Sequence, residues 1–151
     1  MSNSRRVTPQ QKKAVAERAN GCCEYCRSPV RYSIQSFSVE HITPKSRGGE
    51  TTLHNLAFSC QGCNNFKYNK TEGYDPVSGE KTALYHPRQH QWNIHFAWNE
   101  DFTMLVGLTS IGRATVETLL LNREGVVNLR RLMYAAGEHP PVEPKQSVDE
   151  Q

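Results

Sequence analysis

The chain has 151 residues, a hydrophobic content of 36% and a mean hydropathy of −0.68, values that describe a polar protein with one modest core. No window approaches the ~18 apolar residues of a membrane span, and the polar N-terminus lacks the apolar run of a signal peptide, so we expect a cytoplasmic protein. Residues 1–70 contain 11 Lys and Arg against 4 Asp and Glu, whereas residues 71–151 contain 7 against 11. The basic half favours a polyanionic partner, nucleic acid first, although a solvated basic face has the same composition.

The first half of the chain predicts a helix, two short strands and a second helix. Thr8-Pro9 is typical of a helix start, and Gly21 should stop this helix after about Asn20. Polar and apolar residues alternate from Ser36 to Ile42, which predicts a strand. The loop that follows contains Pro44, Gly48 and Gly49. A second strand is expected at residues 56–59 and a short helix from Gly62 to about Asn69.

The second half predicts a turn-rich connection followed mainly by helices. Residues 72–81 contain Gly, Asp-Pro and Ser-Gly turn signals. Residues 86–99 are rich in aromatic residues and histidine, and we expect most of them to pack on the preceding unit, with a second polar site or base stacking as the alternative. A strand is predicted near residues 102–108. Thr109 or Ser110 should cap a helix to about Leu121, and Asn122 should cap a final helix that ends at Gly137.

Five cysteines in a chain without a secretion signal favour metal binding over disulfides. Cys23/Cys26 and Cys60/Cys63 are C-x-x-C pairs, and this spacing places two thiolates on one turn. Two such pairs predict a closed, structural four-cysteine zinc site, with reduced structural thiols or a redox pair as the alternatives. Cys22 is surplus, and we favour Cys23 as the ligand because Cys22 to Cys26 would be C-x-x-x-C.

Residues suited to phosphodiester chemistry are interleaved with these cysteines. Hydrolysis needs a base to activate water and a cation to neutralise the phosphate, and His41, with an ordinary pKa of about 6.5, suits the base. Its neighbour Glu40 points to the opposite strand face unless the strand ends or bends there. Oxygen ligands from Glu40 and Asn64 would suit Mg²⁺ or Mn²⁺ better than zinc. Without Glu40 and Asn64 nearby, we would interpret His41 as a hydrogen-bonded histidine at the end of a strand and Asn55 as the cap of a turn.

The same residues together resemble the HNH endonuclease family. The matching pattern is Glu40-His41-Ile42-x-Pro44, Gly48-Gly49, Asn55-Leu56 and Cys60-x-x-Cys63-Asn64-x-x-Lys67. The downstream runs Tyr85-His86-Pro87-Arg88…Trp92…His95-Phe96…Trp98 and Gly107-Leu108-Thr109…Ile111-Gly112-Arg113-Ala114-Thr115-Val116 are similar to a group of small stand-alone bacterial HNH proteins.

The resemblance implies a role for each matching residue. The fold class would be α+β, with a zinc-stapled ββα-metal core and added helices at both ends. His41 would be the general base, Asn55 would hold the loop and orient His41, and Glu40 and Asn64 would bind one catalytic Mg²⁺ or Mn²⁺. Glu40 is longer by one methylene than the usual Asp, and Asn64 replaces a frequent His. Structural zinc would be bound by Cys23, Cys26, Cys60 and Cys63.

These inferences predict a small endonuclease that cleaves DNA, with RNA as the other candidate substrate, as a monomer or homodimer. Residues 1–7 and 138–151 would be disordered, residues 8–71 would form the nuclease core with its zinc site, and residues 72–137 would form a helical extension packed on that core. Phosphates would contact Lys45, Arg47, Lys67 and Lys70. The alternative function is a catalytically weak or inactive zinc-dependent nucleic-acid-binding module.

Overall fold

The computed structural model describes residues 6–144, so the disorder predicted for residues 1–5 and 145–151 lies outside the described residues. Helices and short antiparallel hairpins alternate along this part of the chain, which agrees with a mixed α and β fold. The helices are α1 (Pro9–Arg18), α2 (Gln61–Lys67), α3 (Trp92–His95), α4 (Ser110–Leu119) and α5 (Glu124–Ala135); the strands are β1 (Ser38–His41), β2 (Leu56–Ser59), β3 (Glu72–Tyr74), β4 (Lys81–Ala83), β5 (Phe96–Trp98) and β6 (Leu105–Gly107).

Helix α1 begins at the Thr8-Pro9 signal, as predicted. The Thr8 hydroxyl accepts a hydrogen bond from the Gln11 amide, the Gln11 side chain accepts one from the Thr8 amide, and Pro9 occupies the first turn. These bonds satisfy amide groups that would otherwise lack partners at a helix start. The chain leaves the helix through the left-handed conformations of Asn20 and Gly21. Val15 is fully buried and fixes the inner face of the helix.

Strands β1 and β2 pair antiparallel, and their residues alternate between two covered faces. Ser38 lies opposite Ser59 and Glu40 opposite Ala57 on one face. The other face carries two further pairs, Val39 opposite Phe58 and His41 opposite Leu56. Leu56 and Phe58 form a small core with Val15 and Ala19 of α1. Helix α2 follows β2 directly and packs on the face that carries Glu40.

Residues 72–81, predicted as a turn-rich connection, instead belong to the β3–β4 hairpin, which ends at Ala83. Its turn is organised by the buried carboxylate of Asp75, which accepts hydrogen bonds from the Val77 amide and the Ser78 hydroxyl. The same carboxylate accepts hydrogen bonds from Nε and Nη2 of Arg113 on α4, at 2.8 and 2.9 Å. Periodicity missed the hairpin because its three-residue strands are too short to show alternation.

Two further predictions about the second half need correction. Asn122 does not cap the final helix, since its side chain bonds the backbone amide and carbonyl of Leu105 at 2.7 and 2.9 Å. The predicted disordered tail is wrong for residues 138–144. In that segment His139 is buried and bonds the Phe102 carbonyl, and Glu143 forms an ion pair with Arg27.

One continuous core joins the two halves of the described chain. It includes Cys23, Cys26 and Cys63 of the first half together with aromatic and aliphatic residues of the second, among them Trp92, Phe96, Leu119 and Leu121. The α4 helix also packs against α2.

None of the helices between residues 6 and 144 is both long enough and apolar enough to cross a membrane.

Candidate functional site

Four cysteine sulfurs converge where the start of the HNH-like segment meets helix α2. The Sγ atoms of Cys23, Cys26, Cys60 and Cys63 all lie within 4.8 Å of one another, and those of Cys26 and Cys60 are 3.7 Å apart. A tetrahedral zinc site with Zn–S bonds of ~2.3 Å requires S–S separations of about 3.8 Å. No disulfide links these residues. The donor set and its spacing therefore fit a structural zinc ion, as the sequence predicted.

Backbone amides support the sulfurs in the arrangement typical of a zinc knuckle. Cys23 Sγ accepts from the amides of Tyr25 and Cys26 at 3.4 and 3.5 Å, and Cys60 Sγ accepts from the Cys63 amide at 3.4 Å. Such bonds favour the thiolate form that a metal requires.

Cys22 is buried outside the cluster and burial raises its pKa, so it behaves as a structural thiol.

His41 occupies the last position of β1, where its ring is half-buried. One ring nitrogen, Nε2, lies 2.9 Å from the Thr51 hydroxyl. Burial lowers the pKa of His41 below its ordinary value, and the nearby Lys45 ammonium lowers it further. A lowered pKa favours the neutral imidazole near pH 7, and the neutral form is the one that a general base needs.

Glu40 points to the opposite face of the hairpin, into the contact between β1 and α2. The residue is 7% exposed. One carboxylate oxygen accepts a hydrogen bond from the Tyr25 hydroxyl, and the other accepts one from Lys67 Nζ at 3.2 Å. Burial raises the pKa of Glu40, while Lys67 and Tyr25 counteract part of that increase. Glu40 is thus the centre of a buried network, separated by the strand from His41.

Asn64 shares the Glu40 side of the hairpin. It lies on α2, and its amide nitrogen is 3.4 Å from the hydroxyl of Ser38, which alternates with Glu40 on β1. The structure therefore brings Glu40 and Asn64 to the same β1–α2 contact, whereas His41 lies on the other face. A divalent cation does not fit the donor set in this conformation, because both oxygens of Glu40 already have partners, one of which is a cation.

Asn55 fastens the loop between the two strands. Its side-chain oxygen accepts from the Thr43 amide at 2.8 Å, and its nitrogen donates to the carbonyls of Thr43 and Glu50, each at 2.9 Å. Gly49 lies against the same contact, where an added Cβ would be 1.8 Å from the Thr43 carbonyl oxygen. Asn55 therefore ties both ends of the loop that follows His41.

The four predicted phosphate contacts divide into two groups. Lys45, Arg47 and Lys70 are at least partly exposed. Lys67 is 1% exposed, and its ammonium donates to Glu40 and to the Ile42 carbonyl at 2.9 Å, so the prediction that it contacts phosphate is wrong. The reason is its position at the last turn of α2, on the side that faces β1.

Two histidines of the second half, His86 and His90, are arranged as hydrogen-bond partners of the backbone rather than as metal ligands. The rings of His86 and His90 are 6.4 Å apart, and those of His90 and His95 are 5.1 Å apart. However, Nδ1 of His86 accepts from the Arg88 amide and Nδ1 of His90 accepts from the His86 amide, which places the proton of each neutral ring on Nε2. Burial, with smaller contributions from nearby charges, lowers the pKa of His86 to about 4.

Sequence reasoning missed several residues that the fold brings to the site. Tyr25 lies between two zinc cysteines but gave no signal of its contact with Glu40. Thr51 lies in a loop without any motif, although the Gln11 side chain of α1 holds its carbonyl at 3.1 Å. Arg123 and Arg130 approach the cysteine cluster from the far end of the chain. No local pattern could have identified these contacts because each joins distant segments.

Comparison with protein families gives a match that covers this site. Residues 23–70 match the family model described as HNH endonuclease. Comparison with curated proteins gave no match, and comparison with solved structures gave none. The matched segment begins at Cys23, contains His41, Asn55 and Asn64, and ends at Lys70. Residues 23–70 are therefore similar to an HNH endonuclease domain and include four cysteines that fit a zinc site.

Proposed function

We propose that this protein hydrolyses phosphodiester bonds of DNA, with His41 as the general base. The observation that carries the proposal is the position of His41: a half-buried imidazole at the end of β1, bonded to Thr51, with a lowered pKa, inside an HNH domain. A base that is neutral near pH 7 can accept a proton from water without first losing one. Strands β1 and β2 and helix α2 would then form the ββα core of the nuclease.

The Thr51 contact suggests which nitrogen acts. If Nε2 carries the ring proton and donates to the Thr51 hydroxyl, Nδ1 holds the lone pair. His41 would then take the proton of the attacking water at Nδ1, while Thr51 keeps the ring in one orientation. Asn55 contributes indirectly, by fixing the loop that begins two residues after His41.

Zinc at the four cysteines would hold the ends of the 23–63 segment together and so support the hairpin. In this conformation Glu40 and Asn64 do not fit the catalytic Mg²⁺ or Mn²⁺ that the family resemblance implies, because Tyr25 and Lys67 already bond both oxygens of Glu40. No step of the proposed reaction is therefore assigned to an ion at this position.

The substrate follows from charge. The cations Lys45 and Arg47 follow His41 within six residues, and Lys70 lies just beyond α2. These exposed cations can bind nucleic-acid phosphates, and such binding weakens steeply with salt. We propose DNA as the substrate, with RNA as an outcome of the same test.

The test is a nicking assay on supercoiled plasmid and on single-stranded, double-stranded and RNA oligonucleotides, with Mg²⁺ or Mn²⁺. His41→Ala should reduce the cleavage rate by about 100-fold or more, as expected for loss of a general base. His54→Ala is the matched control, because His54 is an exposed histidine in the same domain. Equal rates for the parent and His41→Ala, at equal zinc content, would refute the proposal.

The second candidate function is a zinc-dependent nucleic-acid-binding module with weak or no catalysis. It is favoured by the burial of Glu40 in contact with Lys67 and Tyr25. Fluorescence anisotropy with labelled DNA separates the two functions. Salt-sensitive binding without cleavage under any metal condition would support the module, whereas cleavage that depends on His41 would exclude it.

A further inference from the structure

Arg123, in the link between α4 and α5, reaches the four-cysteine cluster. Its guanidinium nitrogens lie 3.5 Å from Cys60 Sγ and 3.6 and 3.7 Å from Cys63 Sγ. The same group donates to the carbonyls of Leu119 and Leu120, which fix it at the end of α4. Gly62, between the two cysteines, leaves the required space, because a Cβ there would be 2.5 Å from an Arg123 nitrogen.

Arg130, on α5, is buried against the backbone of Cys26, one of the four cysteines. It is 1% exposed, and one guanidinium nitrogen donates to the Cys26 carbonyl at 3.3 Å. Its remaining acceptors are neutral oxygens of Thr103, Leu121 and Asn122, and its Nε has no hydrogen-bond partner. Within residues 6–144, neither Arg130 nor Arg123 forms an ion pair with a carboxylate.

A buried guanidinium without a counter-ion is strongly unfavourable. Arg123 lies within 3.7 Å of two cysteine sulfurs, and Arg130 contacts the backbone of a third cysteine of the cluster, Cys26. Four thiolates around one Zn²⁺ carry a net charge of −2, and the two guanidiniums carry +2. In a low-dielectric interior this balance stabilises both partners, because the Coulomb interaction is weakly screened there.

We propose that Arg123 and Arg130 are the counter-ions of the zinc–tetrathiolate centre, so that zinc binding and docking of the α4–α5 segment stabilise each other. Both act as positioning residues through the metal centre and touch no substrate. Arg123 donates N–H bonds to two of the sulfurs, which disperses their charge and shields them from solvent. This inference does not depend on whether the protein cleaves nucleic acid.

Zinc affinity and zinc release test the proposal on the full chain. Arg123→Gln should weaken zinc binding by about 10- to 100-fold, the range found for other partners of metal ligands, and should speed zinc transfer to a chromogenic chelator. Arg123→Lys keeps the charge and should lie close to the parent. Arg131→Gln is the matched control, since Arg131 is an exposed neighbour on α5 that donates to Asn128.

Cobalt substitution gives a readout that does not require activity. In the Co²⁺ form, Arg123→Gln should shift the sulfur-to-metal charge-transfer bands, whereas Arg131→Gln should leave them unchanged. Hydrogen exchange then measures the coupling: removal of zinc should increase exchange in residues 110–135, and Arg130→Gln should do the same with zinc bound.

Three outcomes would overturn the proposal. They are a parent protein that binds no zinc, an Arg123→Gln variant whose zinc affinity stays within twofold of the parent, and an Arg123→Lys variant as weak as Arg123→Gln. Circular dichroism of each zinc-loaded variant distinguishes weaker metal binding from global unfolding. If Arg123→Gln does not fold, the charge-keeping Arg123→Lys and the exchange data on the parent decide the question.

Discussion

Replacement of Lys67 by Met tests the buried network on the Glu40 side of the hairpin. The side chains of Lys67 and Glu40 are 2% and 6% exposed, and their ion pair is supported by Tyr25 and by the Ile42 carbonyl. Lys67→Met would leave a buried carboxylate with one hydroxyl partner. Breaking a buried pair in this way costs about 3–5 kcal/mol, or roughly 6–20 °C in Tm for a chain of this size.

The assay is thermal and urea unfolding with zinc in excess. Lys70→Met is the control, because Lys70 lies at the surface just beyond the same helix and its removal should cost less than about 0.5 kcal/mol. The double variant Glu40→Gln/Lys67→Met should be more stable than Lys67→Met alone, since it removes the unpaired charge.

The pH dependence has a defined sign. Burial already raises the pKa of Glu40, and removal of Lys67 should raise it further. A carboxyl whose pKa is raised on folding favours the protonated form, so its stabilising contribution is lost as pH rises through the folded pKa. The cost of Lys67→Met should therefore be larger at pH 8 than at pH 5.5. A cost below about 1 kcal/mol at both pH values would refute the buried-pair interpretation.

Three further results are expected. An NMR titration should place the pKa of His41 below 6.5, and Lys45→Gln should raise it because a neighbouring positive charge is removed; no change on substitution would contradict that cause. Stability should fall as the pH is lowered from about 6.5 to 4, as His86 must gain a proton against a lowered pKa, and His86→Gln should flatten the fall if His86 causes it. Gly49→Ala should destabilise the hairpin loop by more than about 1 kcal/mol, since its Cβ would overlap the Thr43 carbonyl; a wild-type Tm would contradict this reasoning.

Local signals were sufficient for several elements. Thr8-Pro9 predicted the start of α1, and residues 56–59 were predicted as the second strand with the bounds that the structure has. Each C-x-x-C turn can present two sulfurs by itself, so the four-cysteine cluster was predicted as well. These features depend on residues within a few positions of one another.

The position of Lys67 could not be predicted in the same way. The sequence placed it after the zinc cysteines as one of several basic residues, and the nearby Lys70 has the same local character. Only the packing of α2 on β1 decided that Lys67 binds Glu40 while Lys70 stays at the surface.

By itself, the sequence determined the HNH-like motif, the four-cysteine cluster and the order of strand, strand and helix, because these follow from residue types at short spacing. The tertiary structure alone decided that Glu40 is enclosed by Tyr25 and Lys67, and that Arg123 and Arg130 approach the cysteine cluster. Those contacts join segments 15 to 104 residues apart. Their partners are chosen by burial and charge compensation in the folded core, which no local pattern in the chain encodes.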